Sequence, residues 1–237
     1  MREKQPPSSP GSPTNTCICC GTCCEKGGPG FHRDDRLLIE KGLIPSRYLY
    51  TIRKGEFAYD NVKGCLRPVD SDIIKIKGKE DTWTCAFFNE ADKSCTIYND
   101  RPQECRALKC WDTRELEKMY AGGRLTRKDL MSGVEGLWDL VKDHEARCDY
   151  EEIRKLIKDL QSDNSKHARR RLAEIIRYDT EIRELVVSKG GMDPEMLDFL
   201  FGRPLIKTLP DYGVRVRREG RKVILDPMVS RGRRTEF

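Results

Sequence analysis

The sequence predicts an α+β fold that is mostly α, and three observations support this prediction. Ten of the eleven cysteines precede Trp111, and only Cys148 follows it. Beyond Trp111, apolar residues recur at helical spacing, and the final stretch alternates apolar with polar residues. We therefore expect a cysteine-rich N-terminal module with short strands and helices, followed by a small helical bundle and a C-terminal β-hairpin.

These composition changes also predict the domain limits. Residues 1–16 are rich in Pro, Ser and Gly and have almost no apolar side chain, so they are expected to form a disordered tail. The cysteine-rich domain is predicted to span 17–111. The helical region with its C-terminal hairpin is predicted to span 112–237.

Short elements are expected in the cysteine-rich part. We predict short helices at 33–42, with Asp34 and Asp35 available as caps, and at 45–56. Alternating Ile and Lys predict a half-buried strand within 72–79. Two more short strands, 82–88 and 94–98, are expected around a polar turn, and Pro102 is placed at the start of a short helix.

The second half is predicted to be helical at 112–122, 126–148, 150–161, 165–191 and 193–202. The 126–148 helix is expected to begin at a cap formed by Thr126 or Asp129. Its residue His144, like His167 in the next long helix, is expected to face solvent. Residues 213–226 alternate about Glu219 and Gly220, which predicts the β-hairpin.

Composition excludes several classes of protein. Basic and acidic residues number 45 and 39, and they are interspersed rather than concentrated on one element, so nucleic-acid binding is not expected. No stretch approaches the roughly 18 apolar residues of a membrane span. The N-terminal residues lack the apolar run of a secretory signal, so we expect a cytoplasmic protein with reduced cysteines.

The cysteines form two groups with the spacing of metal ligands. Cys17, Cys20 and Cys23 follow a C-x2-C-x2-C pattern, which ferredoxin clusters share and which contains the C-x2-C of zinc sites. Cys24 adjoins them; in an extended chain its side chain would point away from that of Cys23, which suggests that the two serve different metal centres or that one of them is spare. The second group is Cys85, Cys95, Cys105 and Cys110. Eight thiols suffice for two four-thiolate sites, or for one site with additional ligands.

Other residues near or outside these groups have simpler expected roles. Arg101 and Arg106 flank Cys105 and are expected to offset the negative charge of a thiolate-bound metal or cofactor. Cys148 is expected to be a buried structural thiol. For Cys19 and Cys65 the choice between ligand and buried thiol stays open.

The same cysteines carry a family resemblance. Cys17-x2-Cys20-x2-Cys23-Cys24, then C-A-F-F at 85–88, C-T-I-Y at 95–98 and R-P-Q-E-C-R at 101–106, resemble the YkgJ-type CxxCxxCC family of zinc- or iron-chelating proteins. The resemblance covers about residues 17–111. It implies metal chelation and an iron–sulfur centre, but it does not imply a particular reaction.

The sequence contains no serine nucleophile elbow, Walker loop, dinucleotide fingerprint or H-E-x-x-H motif. Any catalysis would therefore depend on the metal. Our first hypothesis is an iron–sulfur protein with a redox or metalloenzyme role, whose helical half contacts a substrate or macromolecular partner. The alternatives are a non-catalytic zinc module that presents the helices to another macromolecule, and a metal trafficking or storage protein.

Overall fold

The structure, a computed structural model, describes residues 20–80, 82–120, 122–160, 165–220 and 222–228. The predicted tail, together with Cys17 and Cys19, lies outside the described residues. About 48% of the described residues are helical, and the rest include short antiparallel strands and a C-terminal strand pair. The predicted α+β, mostly α fold is confirmed.

The described strands form four two-stranded antiparallel sheets. Their bounds are β1 Leu49–Ile52, β2 Phe57–Asp60, β3 Cys65–Pro68, β4 Ile73–Ile76, β5 Phe88–Asn89, β6 Ser94–Cys95, β7 Val214–Glu219 and β8 Lys222–Pro227. The pairs are β1 with β4, β2 with β3, β5 with β6, and β7 with β8. The last pair confirms the predicted C-terminal hairpin.

The helices are α1 Thr22–Glu25, α2 Arg36–Glu40, α3 Gln103–Ala107, α4 Arg114–Tyr120, α5 Arg127–Met131, α6 Leu137–Arg147, α7 Tyr150–Asp159, α8 Ser165–Ser188, α9 Leu197–Phe201 and α10 Leu205–Thr208. Short 3₁₀ turns span Arg33–Asp35, Ser46–Tyr48, Tyr98–Asp100, Pro194–Met196 and Leu209–Tyr212. Within the described residues, no helix is both long enough and apolar enough to cross a lipid bilayer.

The predicted helix at 45–56 is wrong. Only Ser46–Tyr48 is helical, as a single 3₁₀ turn, and β1 follows directly. Thr51 pairs with Ile74, and Ile52 with Ile73, across the sheet of β1 and β4. β-branched residues favour a pleated surface, so the pairing with β4 prevails over the helical spacing of this segment.

The predicted helix at 126–148 is divided into α5 and α6. Thr126 caps α5 as expected, and its side chain accepts a hydrogen bond from the Asp129 amide. Gly136 then adopts a φ of 76° immediately before α6. A residue with this backbone conformation cannot continue a right-handed helix, so the chain changes direction there.

Two apolar clusters form the core. The first contains Phe31, Ile74 and Phe88 from the cysteine-rich half and also Val141 and Phe201 from the helical half. The second is built from α7, α8, α10 and the C-terminal hairpin, and it includes the fully buried Cys148. The first cluster therefore packs residues from both sides of the predicted 111/112 boundary, which stays a prediction.

A buried ion pair also joins the two halves. The side chain of Arg127 is fully buried, and its Nε and Nη2 lie 2.7 and 3.0 Å from the carboxylate oxygens of Asp72. Its Nη1 donates to the carbonyl of Leu200 at 2.6 Å, and Nη2 also contacts Glu145. The guanidinium of Arg127 thus connects the residue that precedes β4 with helices α6 and α9.

Candidate metal centre

The described cysteines of the first group, Cys20, Cys23 and Cys24, lie in α1 and in the tight turn that leads into it. Gly21 has a φ of 84°, and a Cβ at this position would lie 2.3 Å from Cζ of Phe88. Only glycine satisfies both the left-handed backbone and the close contact with the ring. The turn therefore places Cys20, Cys23 and Cys24 next to Phe88, which follows Cys85 by three residues.

The second group is brought to the first by a short hairpin. The amide of Cys85 donates to the carbonyl of Cys24 at 2.8 Å. Three residues later Phe88 pairs with Cys95 across β5 and β6. The ten-residue spacing between Cys85 and Cys95 thus places one thiol before the hairpin and the other on its returning strand.

Cys105 lies in the middle of α3 and completes a group of six thiols. Burial raises the pKa of Cys105, and so do the neighbouring thiols of Cys85, Cys95 and Cys23. The neighbouring thiols of Cys23, Cys85 and Cys105 help to raise the pKa of Cys24, and Cys23 acts in the same direction on the pKa of Cys20. The six thiols of Cys20, Cys23, Cys24, Cys85, Cys95 and Cys105 are therefore close enough to affect their neighbours' ionisation, although the first three lie about 60 to 85 residues before the other three in the chain.

Cys23 and Cys24 are the closest described pair, with their sulfurs 4.0 Å apart. The expectation that they point apart assumed an extended chain and is wrong, because both residues belong to the helical turn α1. The pKa of Cys23 is lowered to about 6 because the Cys24 thiol stabilises the neighbouring thiolate through a hydrogen bond. The same bond raises the pKa of Cys24, and so does burial.

A buried polar network that sequence reasoning missed positions α3. Glu104 accepts hydrogen bonds from the amide of Gly30 and from Nη1 of Arg124, each at 2.5 Å. Burial raises the pKa of Glu104, but the hydrogen bond from His32 and the charges of Arg124 and Lys75 bring it down to about 2. Glu104 thus stays ionised and fixes the helix turn that presents Cys105.

His32 and Asp35 complete this network. Nδ1 of His32 lies 2.9 Å from the carbonyl of Gly122, and Nε2 lies 3.4 Å from Glu104. The Asp35 carboxylate accepts from the amides of His32 and Gln103, both at 2.9 Å, and so caps the start of α3 as well as its own turn. The adjacent acidic pair Asp34-Asp35 and the nearby His32 were visible in the sequence, but their partners were not.

The structure places Arg101 and Arg106 beside the thiol group in different ways. Arg101 stacks on the Tyr98 ring at 3.6 Å, and its charge helps to lower the pKa of Cys23. Arg106 donates to the carbonyls of Arg101 and Asn99 at 2.8 and 3.0 Å. Arg101 is therefore a charged neighbour of the thiols, while Arg106 braces the loop that carries it; their roles toward a bound cofactor stay predictions.

The remaining predicted and undecided cysteines lie elsewhere. Cys110 is exposed, in the turn closed by the bridge between Lys109 and Asp112. Among the described residues, no hydrogen bond links it to the group of six. Cys65 is exposed on β3, and Cys148 is fully buried, as expected for a structural thiol.

One compact group of potential ligands lies away from these cysteines. The ligand atoms of His144, Cys148 and Asp179 are all buried and lie within 4.8 Å of one another. The prediction that His144 faces solvent is wrong; His167 is exposed as expected. Both oxygens of Asp179 are already engaged, by His144 at 2.8 Å, by Nε of Arg183 at 3.0 Å and by the Leu205 amide at 2.9 Å. A guanidinium in contact with the carboxylate repels a cation, so we assign this group to the structural core.

The chemistry of the six-thiol group fits a thiophilic metal. Thiolates are the preferred ligands of structural zinc and of iron–sulfur clusters. The 4.0 Å between the sulfurs of Cys23 and Cys24 is close to the ~3.8 Å expected between two sulfurs of a tetrahedral zinc site with ~2.3 Å bonds. Among the described residues no three of the six thiols lie mutually within 4.8 Å. The six thiols are therefore neighbours, but their sulfurs are not, as a set, at the mutual distances of ligands to one metal ion.

Comparison with known proteins finds one similarity, in the cysteine-rich part of the chain. Residues 16–122 match the family model CxxCxxCC, described as "Putative zinc- or iron-chelating domain". Residues 16–122 are therefore similar to this family of domains. The match confirms the resemblance drawn from residues 17–111 and extends it through α4 to Gly122, whose carbonyl His32 contacts. No curated protein and no solved structure matches the chain.

Proposed function

We propose that the CxxCxxCC-like domain holds an iron–sulfur centre and that this centre has a redox role. The observation that carries the proposal is the convergence of six thiols from three separate segments of the chain. The proposed ligands are drawn from Cys17, Cys20, Cys23, Cys24, Cys85, Cys95, Cys105 and Cys110.

The number and spacing of the thiols support iron over a single structural zinc. A structural zinc site takes four ligands, and six coupled thiols exceed that number. The C-x2-C-x2-C spacing also matches the first three ligands of bacterial ferredoxin clusters. The positive charge of Arg101 beside Cys23 would compensate part of the negative charge of a thiolate-ligated centre.

The exposure of the thiols supports a redox role. Cys20 and Cys23 are exposed, whereas Cys85 is buried against Phe88 in the first apolar cluster. A centre held here would have one side in the core and one side at the surface. When bound, an iron–sulfur centre supplies one-electron transfer, and the exposed side would be the route to an external donor or acceptor.

The helical half would contribute the surface for a macromolecular partner or substrate. It packs on the cysteine-rich half through the first apolar cluster, so a partner bound to the helices would be held at a fixed position relative to the thiols. The proposal also places the protein in a reducing compartment such as the cytoplasm, where thiols stay available as ligands.

The test is anaerobic purification after iron-replete expression, with iron, zinc and acid-labile sulfide measured per chain. We expect iron and sulfide in matching amounts and a visible absorption band that dithionite bleaches. A colourless protein with stoichiometric zinc would refute the iron–sulfur proposal and establish the zinc module. Metal that exchanges rapidly with a competing chelator would instead indicate trafficking or storage.

Matched cysteine variants locate the ligands. Cys85→Ser and Cys105→Ser are expected to lose most of the bound metal, because both thiols belong to the group of six. Cys65→Ser and Cys148→Ser are the controls, since each removes a thiol that lies outside that group. Equal metal content in all four variants would contradict the proposed ligand set.

A further inference from the structure

A cavity of about 440 Å³ opens between the cysteine-rich half and the helical half, and no thiol of the group of six lines it. Its walls come from the loop that follows β1, the segment after β3 and the start of α7. Three basic residues line it, namely Arg53, Lys54 and Arg154. The cavity is large enough for a small polar molecule.

Arg53, which lines this cavity, is buried with two of its three guanidinium nitrogens unpaired among the described residues. The residue is only 2% exposed, and its Nη1 donates to the carbonyl of Cys148 at 3.1 Å. Its Nε and Nη2 are buried and have no hydrogen-bond partner among the described residues. Leaving a charged donor buried without an acceptor is costly, so these two groups call for an acceptor that the described chain does not provide.

The two unpartnered groups also have a specific geometry. Nε–H and Nη2–H form the edge of the guanidinium on which two parallel hydrogen bonds can be donated to one carboxylate, sulfate or phosphate. The other two buried arginines donate their Nε–H to a carboxylate: Arg127 to Asp72 and Arg183 to Asp179. The bidentate edge of Arg53 is the one left open among these three.

The guanidinium is held in place by its neighbours. Its central carbon lies 4.6 Å from the centre of the Tyr150 ring, a cation–π arrangement. Gly202 packs against the aliphatic stem so closely that a Cβ there would lie 2.7 Å from Cγ of Arg53. A donor pair that is already fixed loses little conformational entropy when it binds a ligand.

Acidic residues also line the cavity, and each has another partner. Glu145 contacts Arg127, and Asp70 pairs with Arg67 at 3.2 Å. Asp149 accepts from two amides at the start of α7, and Glu151 pairs with Lys155 at 3.1 Å. Their charges are partly compensated in this way, whereas the donor edge of Arg53 is not.

We propose that this cavity binds a small oxyanion, a carboxylate, sulfate or phosphate group, held by Nε and Nη2 of Arg53. Lys54 and Arg154 would contribute positive charge at the walls. The site is separate from the metal centre and does not depend on which metal the thiols hold.

The test is a titration of the metal-loaded full chain with inorganic phosphate, sulfate and acetate in turn. Binding is measured by isothermal titration calorimetry and by the shift of the ¹⁵N–¹H NMR signal of Arg53 Nε. We expect saturable 1:1 binding of at least one probe and a matching shift of that signal. Failure of all three probes to bind, or binding that leaves the Arg53 signal unmoved, would overturn the proposal.

Three variants separate the bidentate contact from general charge. Arg53→Met is expected to abolish binding. Arg53→Lys, which keeps the charge but loses the parallel N–H pair, should weaken binding by at least ~10-fold. Arg147→Met is the control, because it removes an exposed charge from the end of α6, beside Cys148 but outside the cavity. If Arg53→Met does not fold, Arg53→Lys decides: binding equal to that of the unmodified chain refutes the site.

Discussion

Replacement of Asp72 by Ala is expected to lower the free energy of unfolding by about 3 kcal/mol. The side chain of Arg127 is fully buried and makes two hydrogen bonds to Asp72, at 2.7 and 3.0 Å. Removing one partner of a buried ion pair typically costs about 3–5 kcal/mol, because the remaining charge is left uncompensated. Glu145 and the Leu200 carbonyl stay in contact with Arg127, which places the expected loss at the lower end of that range.

The assay is urea unfolding of the metal-loaded protein, followed by far-ultraviolet circular dichroism of the helices. Asp70→Ala is the matched control, since Asp70 lies two residues away with its side chain 87% exposed and pairs only at the surface. Its loss should change the unfolding free energy by no more than ~0.5 kcal/mol. The double variant Asp72→Ala with Arg127→Met should be more stable than Asp72→Ala alone, because no unpaired charge remains.

Two results would refute this reasoning. The first is a loss below ~1 kcal/mol for Asp72→Ala, which would mean that solvent or Glu145 compensates the guanidinium fully. The second is a double variant whose loss equals the sum of the two single losses, which would mean that the two side chains do not interact.

Three further predictions concern single positions. Gly21→Ala should destabilise the domain by about 1–2 kcal/mol in chemical denaturation, because of the left-handed backbone and the contact with Phe88, whereas Gly64→Ala adds only the backbone strain. Burial lowers the pKa of His144 to about 4, below its unfolded value of about 6.5. The neutral imidazole therefore stabilises the fold fully above pH ~6.5. This stabilisation is lost as the pH falls toward 4, by up to ~1.4 kcal/mol per pH unit. His144→Gln should flatten that slope, and an unchanged slope would exclude His144 as its source. Glu104→Ala should weaken metal binding about 10- to 100-fold in chelator competition, since it frees α3; affinity within twofold of the unmodified chain would contradict this.

The sequence was sufficient for the features that depend on local pattern. Alternation predicted β4 and the C-terminal hairpin, and Thr126 with Asp129 predicted the start of α5. Each of these features is set by residues within a few positions of one another, so one sequence contains the whole signal.

Features that depend on distant partners could not be predicted. The sequence of β1 predicts a helix, and only its pairing with β4 makes it a strand. Arg127 has the character of a solvent-exposed residue, and its burial depends on Asp72, which lies 55 positions away in the chain. Glu104 is likewise one acidic residue among many until Gly30 and Arg124 surround it. Propensity and spacing do not contain these pairings, because burial decides them.

The contrast between Cys65 and Cys148 provides a built-in reporter of partial opening. Cys65 is exposed on β3 and would react at once with an alkylating reagent. Cys148 is fully buried in the second apolar cluster, and burial raises the pKa of its thiol to about 12, so it is both shielded and protonated. In metal-loaded protein, the rate at which Cys148 is alkylated would therefore report how often the helical half opens, independently of the metal centre.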